Sequence, residues 1–430
     1  MIVNRDILNN LCINITDGEH ASVQNDEAGK YFLLSNKNII NGQIVITNNE
    51  RKISHETFAK INKRTRLEKG DLVISTVGIL GKLAIIKDEN LNYDFQRSVG
   101  MIKCNEGLLN TNYLYHYLNA DFVQLRLNYL SKGAVQKCLF ISDIKNLEID
   151  FPDISTQQKI AKVLSDLDAK IEINNHINTE LEAMAKTLYD YWFVQFDFPD
   201  ANGKPYKTSG GKMVWNEELK REIPEGWEVK TLLDIANFVN GLACQKFRPN
   251  ENEDSYRVIK IREMGTGFTE NSEFVSINIP EKVVIHNGDI LFSWSATLDV
   301  KIWTGGTGAL NQHIFKITSK KYPKSYYYFE LLNYLQHFKM QAELRKTTMG
   351  HITQDHLKQS RITIPPSDLI NKLDKILKPI LEKKVKLEEE NQELASLRDW
   401  LLPMLMNGQV RVGEVERELG MVAEGREQYK

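Results

Sequence analysis

The stretch Thr156–Phe193, TQQKIAKVLSDLDAKIEINNHINTELEAMAKTLYDYWF, governs how the rest of the chain is read. Its positions Ile160, Leu164, Leu167, Ile171, Asn174, Asn178, Leu181, Ala185, Leu188 and Trp192 are separated by alternating steps of four and three. That spacing makes one stripe along a helix that packs lengthwise on another helix. Thirty-eight residues span roughly 57 Å at ~1.5 Å per residue. Ser155 with Gln158 fits an N-terminal capping box. Asn174 and Asn178 put polar groups in the middle of the stripe, which costs packing but fixes register.

The partner helix is found by adding 213. Leu373, Leu377, Ile380, Lys384, Leu387, Asn391, Leu394, Arg398, Leu401 and Leu405 take the same places. Blocks 144–193 and 357–406 align without a gap, and eleven positions are identical, against roughly three expected by chance at average composition. The chain is therefore a tandem repeat in which a long helix closes each half. Pro379 in the second helix predicts a kink or break near 375–379, Pro403 a bend in the last turn, and Asn407-Gly408 the stop.

Ahead of each helix lies a globular unit. In the first, residues 1–152, β-like runs occur at Tyr31–Leu34, Gln43–Thr47, Asp71–Ser75 and Leu83–Ile86. A helix is predicted over 112–130, with Leu114, Leu118, Val123 and Leu127 as its apolar stripe. The second unit begins near Gly226-Trp227. Tyr31–Lys37 answers Tyr256–Arg262, Gly70-Asp71-Leu72-Val73-Ile74-Ser75 answers Gly288-Asp289-Ile290-Leu291-Phe292-Ser293, and Gln96-Arg97 answers Gln312-His313, at offsets of 225, 218 and 216. Loops of different length on one framework suit two modules with different targets. Residues 197–224, rich in Gly, Pro, Asn and Ser, read as a linker or hairpin arm, and 409–430 as a charged tail.

Composition is that of an ordinary soluble protein, 42% hydrophobic and 26% charged. No apolar run reaches the ~20 residues of a membrane span, and the first residues do not form a signal peptide. The expected location is the cytoplasm, with no membrane partner. Cys12, Cys104, Cys138 and Cys244 are scattered and form no metal-binding C-x-x-C. No metal ligand set and no catalytic constellation is read. Pro199-Asp200 with Glu218-Leu219-Lys220 matches a nuclease pattern only formally, because the Glu and Lys fall in a polar linker. His351 and His356 have the wrong spacing for a helical zinc pair. A net charge of −2 leaves room for local basic patches, and one occurs in each half, over 51–69 and 339–361.

Those patches and the loops beside the repeated motifs supply candidate DNA contacts: His20, Lys63, Arg64, Arg66, Lys82, Arg97 and Lys132 in the first half, and Lys246, Arg248, Arg262, His313, Arg345 and Lys346 in the second. Arginine can read guanine by paired hydrogen bonds, and lysine mainly neutralises phosphate. Gln96 and Gln312 read as framework positions. The helix-pair seam is assigned to Leu164, Leu167, Ile171, Asn174, Asn178, Leu181, Leu377, Ile380, Leu387, Asn391 and Leu394.

The whole chain resembles the specificity subunit of type I restriction–modification enzymes. The resemblance is carried by Ile15-Thr16-Asp17-Gly18-Glu19-His20 and by the repeated Gly-Asp-hydrophobic-hydrophobic-x-Ser motif. It is carried too by Tyr191–Phe198 flowing into Gly203-Lys204-Pro205-Tyr206 and Ser209–Val214, and by Leu397–Pro403. It implies an α/β (α+β) fold: two similar target-recognition domains, 1–152 and 225–366, joined by two long antiparallel coiled-coil helices, 153–196 and 367–408, in a pseudo-twofold tandem repeat. It further implies that each domain reads half of a split sequence in double-stranded DNA, while separate methylation and restriction subunits dock on the chain. In the complex those subunits use S-adenosylmethionine, ATP and Mg²⁺; this chain itself has no cofactor loop and no Asn/Asp-Pro-Pro-Tyr/Phe motif for a flipped adenine. A self-contained adenine methyltransferase and a coiled-coil adaptor without a DNA role are the competing readings.

Overall fold

The computed structural model describes residues 4–47, 49–132, 137–344, 351–413 and 415. The two long helices run Ile154–Tyr189 and Ser367–Met406. The first passes into a π-helical turn, Asp190–Val194, that buries Trp192 and Phe193. Its N-cap is Asp153, not Ser155: the Asp153 carboxylate accepts from the Thr156 amide at 3.0 Å and from its hydroxyl at 2.8 Å. Asp153 directly follows Pro152, whose fixed φ holds the chain extended up to the cap, and Ser155 falls inside the first turn.

The second helix continues through Pro379 without a break. The proline leaves the Lys375 carbonyl without its usual donor, but buried Leu377 and Leu381 on either side hold the helix to its neighbours. The stop is as expected. The helix ends at Met406, the Asn407 amide donates back to the Pro403 carbonyl at 2.9 Å, and Gly408 takes φ of 69°.

The chain divides into two compact units, one built from the chain up to Lys170 together with Leu394 onward, the other from Ile171–Glu393. The border therefore cuts both long helices. In the first unit Ile160, Leu164 and Leu167 share a core with Leu401 and Leu405, and Asp168 meets Arg398 at 2.7 Å. In the second unit Asn174 meets Asn391 at 2.9 Å and Glu182 meets Lys384 at 3.1 Å. The partner number falls as the first rises, so the helices run antiparallel. The seam follows the predicted stripe: Leu164, Leu167, Asn174, Asn178, Leu377 and Leu387 are buried, and Ile171, Leu181, Ile380, Asn391 and Leu394 are half-buried.

In the first unit a four-stranded sheet has the order Cys12–Asp17, Val99–Cys104, Leu72–Ser75, Leu83–Ile85. A three-stranded sheet places Tyr31–Leu34 between Arg51–Ile53 and the parallel strand Tyr93–Phe95. Asn4–Ile7 pairs with Glu148–Phe151 just before the long helix. The helix predicted over 112–130 is two helices, Thr111–Asn119 and Asp121–Leu130, because Ala120 is extended between them. Its apolar stripe is nevertheless buried at Leu114, Leu118, Val123 and Leu127.

The second unit repeats this plan. Asn237–Asn240, Ile314–Thr318, Ile290–Ser293 and Asp299–Ile302 form the four-stranded sheet in the same order, and Ser255–Ile259 lies parallel to Gly308–Leu310. Glu228–Lys230 pairs with Ile362–Ile364 before the second long helix. Residues 197–224 include a hairpin, Met213–Asn216 against Arg221–Pro224. Phe198 stacks between Tyr206 and Trp227 at 4.6 and 5.4 Å and ties this arm to the core.

Candidate nucleic-acid interface

The repeated glycine-aspartate motif frames one end of each four-stranded sheet. Gly70 and Gly288 have φ of 92° and 85°, a conformation glycine adopts without strain. The Asp71 carboxylate accepts the Glu68 amide and the Asp289 carboxylate the His286 amide, each at 2.9 Å. Lys103 lies 3.8 Å from Asp71 and Lys316 lies 2.9 Å from Asp289. Burial pushes the Asp71 carboxyl up to about 6. These aspartates are structural.

The serine at the far end of the motif caps the loop that follows. Ser75 Oγ donates to the Ile79 carbonyl and accepts the Lys82 amide; Ser293 Oγ donates to the Thr297 carbonyl and accepts the Asp299 amide. At this same end the first strand leaves its sheet through Gly18 or Gly241. A Cβ on Gly18 would lie 2.1 Å from the Phe95 carbonyl oxygen, and one on Gly241 2.2 Å from that of Asn311. The Glu19 amide donates to Phe95 and the Arg97 amide to Glu19; the Leu242 amide donates to Leu310 and the Gln312 amide to Leu242. Phe95 thus answers Leu310 and Val99 answers Ile314, an offset of 215. Arg97 is the counterpart of Gln312, and His313 is the counterpart of Ser98, one residue away from the alignment of Gln96-Arg97 with Gln312-His313 read from sequence.

In the first unit this end gathers several of the candidate residues. His20 Nε2 lies 2.8 Å from the Asp17 carboxylate. Arg64 donates to the carbonyls of Asp17 and Gly18, so its guanidinium holds the 17–20 turn. Arg97 is exposed, with its backbone fixed by Glu19. Lys82 closes the Ser75 loop. Lys132 is exposed, pairs with Cys138 and lies over Phe140, and Cys138 in turn bridges to Val77. Lys63 is exposed on the helix His55–Thr65. Arg66 is the left-handed cap of that helix, and its carbonyl accepts from Lys103, so it belongs with the framing end and not with this cluster.

In the second unit the structure brings His313 to the equivalent place. It stands beside Trp294 and Asn240, which sequence reasoning left out, and His351, which it met only as part of the 339–361 patch and as half of a rejected zinc pair. The ring centroid of Trp294 is 5.5 Å from that of His313 and 5.7 Å from that of His351, and its indole N–H donates to Asn240 Oδ1 at 3.2 Å. His351 and His356 do not converge, since His356 Nδ1 accepts the Thr353 amide in a helix cap. Arg262 is committed to the buried Glu263 carboxylate and to the Asn271 carbonyl. Lys246 and Arg248 are exposed on the segment around Cys244, where Arg248 lines a cleft with Glu273 and Phe274. Arg345 and Lys346 lie outside the described residues. Trp294 was findable: it occupies the position after the motif serine, where the first unit has Thr76. The nuclease-like Glu218 and Lys220 lie at the arm's turn, paired with Arg361 and Glu217.

The model of the type I restriction modification DNA specificity domain matches this sequence twice, over residues 18–183 and 224–396. The chain belongs to that family. It is 27% identical over 381 residues to the type I restriction enzyme MjaIX specificity subunit of Methanocaldococcus jannaschii, covering 86% of this chain and 84% of that one. It is 24% identical over 402 residues to the HindI specificity subunit of Haemophilus influenzae, covering 80% and 87%. The crystal structure of a type I restriction–modification S subunit from M. genitalium shares the fold, with a TM-score of 0.54 at 17% identity over 94% of this chain and 96% of that one. Among the described residues no helix is long and apolar enough to cross a membrane.

Proposed function

We propose that this chain is the DNA-specificity subunit of a type I restriction–modification complex, non-catalytic in itself, with each module reading one half of a split sequence. The observation that carries this reading is the pair of sheet ends. The same backbone hydrogen bonds recur at Gly18 and Gly241, but the side chains there differ: Arg97 and Lys82 in one, with Thr76 buried behind them, and Gln312, Asp299 and Trp294 in the other. A conserved support with unlike contact groups is what two independent readers of different base sequences require.

Membership of the family supports association with methylation and restriction subunits, and we assign S-adenosylmethionine, ATP and Mg²⁺ to those partners. The test is an exchange of residues 1–152 for the corresponding module of a relative, in a host carrying only this subunit and its methylation partner. Mapping of methylated adenines should show one changed half-site and one unchanged. Simultaneous change of both halves would sink the reading of independent modules.

A further inference from the structure

Resting on that reading of the sheet ends, we infer that the second module recognises an A·T base pair, with Trp294 against the thymine methyl and Gln312 on the adenine edge. Three observations converge on it. First, among the described residues the second edge is poorer in positive charge than the first: Asp299 stands where the first module has Lys82, Gln312 where it has Arg97, and Asn240 where it has Asp17 with its attached His20 and Arg64. Those positions neutralise less phosphate than their counterparts, and contact with bases is the role left to them.

Second, the group that replaces charge is aromatic. Trp294 is half-exposed and braced on Phe315 at 5.9 Å, with His313 and exposed His351 beside it. Its indole N–H is already taken by Asn240, so what it presents outward is ring carbon. Of the groups on the base edges of the major groove, the C5 methyl of thymine is the apolar one.

Third, Gln312 is the residue type whose amide matches adenine N6 and N7 with two hydrogen bonds. Its backbone is pinned by the Leu242 carbonyl at 2.8 Å and its Nε2 lies 3.3 Å from His313 Nε2, so the side chain starts near one position. His313 Nδ1 is buried with no partner among the described residues, which leaves its ring orientation to be set by Trp294 and Gln312. Apolar contact with the methyl and amide contact with the purine address the two bases of one pair.

The test uses the assembled methylation complex. Replacing the second half-site's thymines by uracil, one at a time, should weaken binding about fourfold at one position, the effect of one buried methyl. The complex carrying Trp294→Ala should not notice that replacement, and Trp294→Phe, which retains the packing, should notice it partly. Gln312→Arg should move the paired base from adenine to guanine, read from the methylated word or, if methylation is lost, from binding to a set of duplexes varied at that position. Indifference of the wild-type complex to every uracil, or a Gln312→Arg word identical to the original, overturns the inference. Exchange of residues 225–366 distinguishes the two levels. If the exchange alters the second half-site while Gln312→Arg does not, only this pairing falls. If it alters neither half, the reading of sheet ends as recognition surfaces falls with it.

Discussion

Asn174 of the first long helix donates through Nδ2 to Asn391 Oδ1 of the second at 2.9 Å, and Asn391 Nδ2 returns a bond of the same length to Asn175. Glu390 accepts from Asn174 as well, at 3.1 Å. The amides thus join the antiparallel helices at one layer. Asn178, one turn further on and 6% exposed, has neither amide atom paired among the described residues. The two asparagines should respond to leucine in opposite directions. Asn391→Leu removes two hydrogen bonds between the helices, while Glu390 still accepts from Asn174 and exposed Asn175 turns to water, and should cost about 1 kcal/mol; Asn178→Leu removes an unsatisfied buried amide and should add about 1–3 kcal/mol. Urea denaturation of the two variants decides it, and a loss in both would show that Asn178 is satisfied in solution.

The close approach at Gly18 makes a second expectation. Alanine there would place a methyl 2.1 Å from a backbone oxygen, and the backbone has to move. Gly18→Ala and Gly241→Ala should each lower stability by about 1–3 kcal/mol. Each should also impair one half-site, read as binding to duplexes altered in one half at a time.

Lys82 and Lys132 separate charge from structure. Neither side chain carries an ion pair with the turn that Arg64 holds. If both meet phosphate, the Lys82→Ala/Lys132→Ala complex should lose about two from the slope of log K against log salt, at ~0.9 per phosphate contact. An unchanged slope would assign both lysines to solvent.

Glu330 supplies a pH dependence. Its carboxyl is buried, accepts the Tyr189 hydroxyl at 2.6 Å and lies near Asp190 and Arg221. Burial, the largest cause, raises it to about 7. The folded value lies above the unfolded one, so its contribution is complete below about pH 4.5 and is lost as pH rises through about 7, on the order of 3 kcal/mol in total. Glu330→Gln keeps an acceptor for Tyr189 and should flatten that part of the stability profile between pH 4.5 and 7.5. Parallel profiles in the two proteins would refute it.

The long helices were legible because a seam repeats every three and four residues whatever surrounds it, and the same period placed Asn174, Asn178 and Asn391 in that seam. The repeated Gly-Asp-x-x-x-Ser motif was legible because positive φ and a capped loop demand those residue types. Asp153 was missed as the cap because Ser155 offers the same chemistry two residues later, and only the backbone tells them apart. The one-residue register at Arg97 and Gln312 was hidden by loops of unequal length. Arg64 was read as a DNA contact from its charge, and its engagement with the Asp17 and Gly18 carbonyls depends on a fold that charge does not report. Trp294 drew no attention because an aromatic after a strand is ordinarily core.

The pairing of Glu228–Lys230 with Ile362–Ile364 has a mechanical consequence. The second module is entered from the hairpin arm and left toward the long helix at neighbouring residues, Glu228 opposite Ile364. Tension between arm and helix therefore loads this short antiparallel ladder from its end, parting one residue pair after another as in a zipper instead of shearing all of them at once. The strands inside the module bear no load until that ladder has opened, so the stem acts as a weak fuse in series with a stronger sheet.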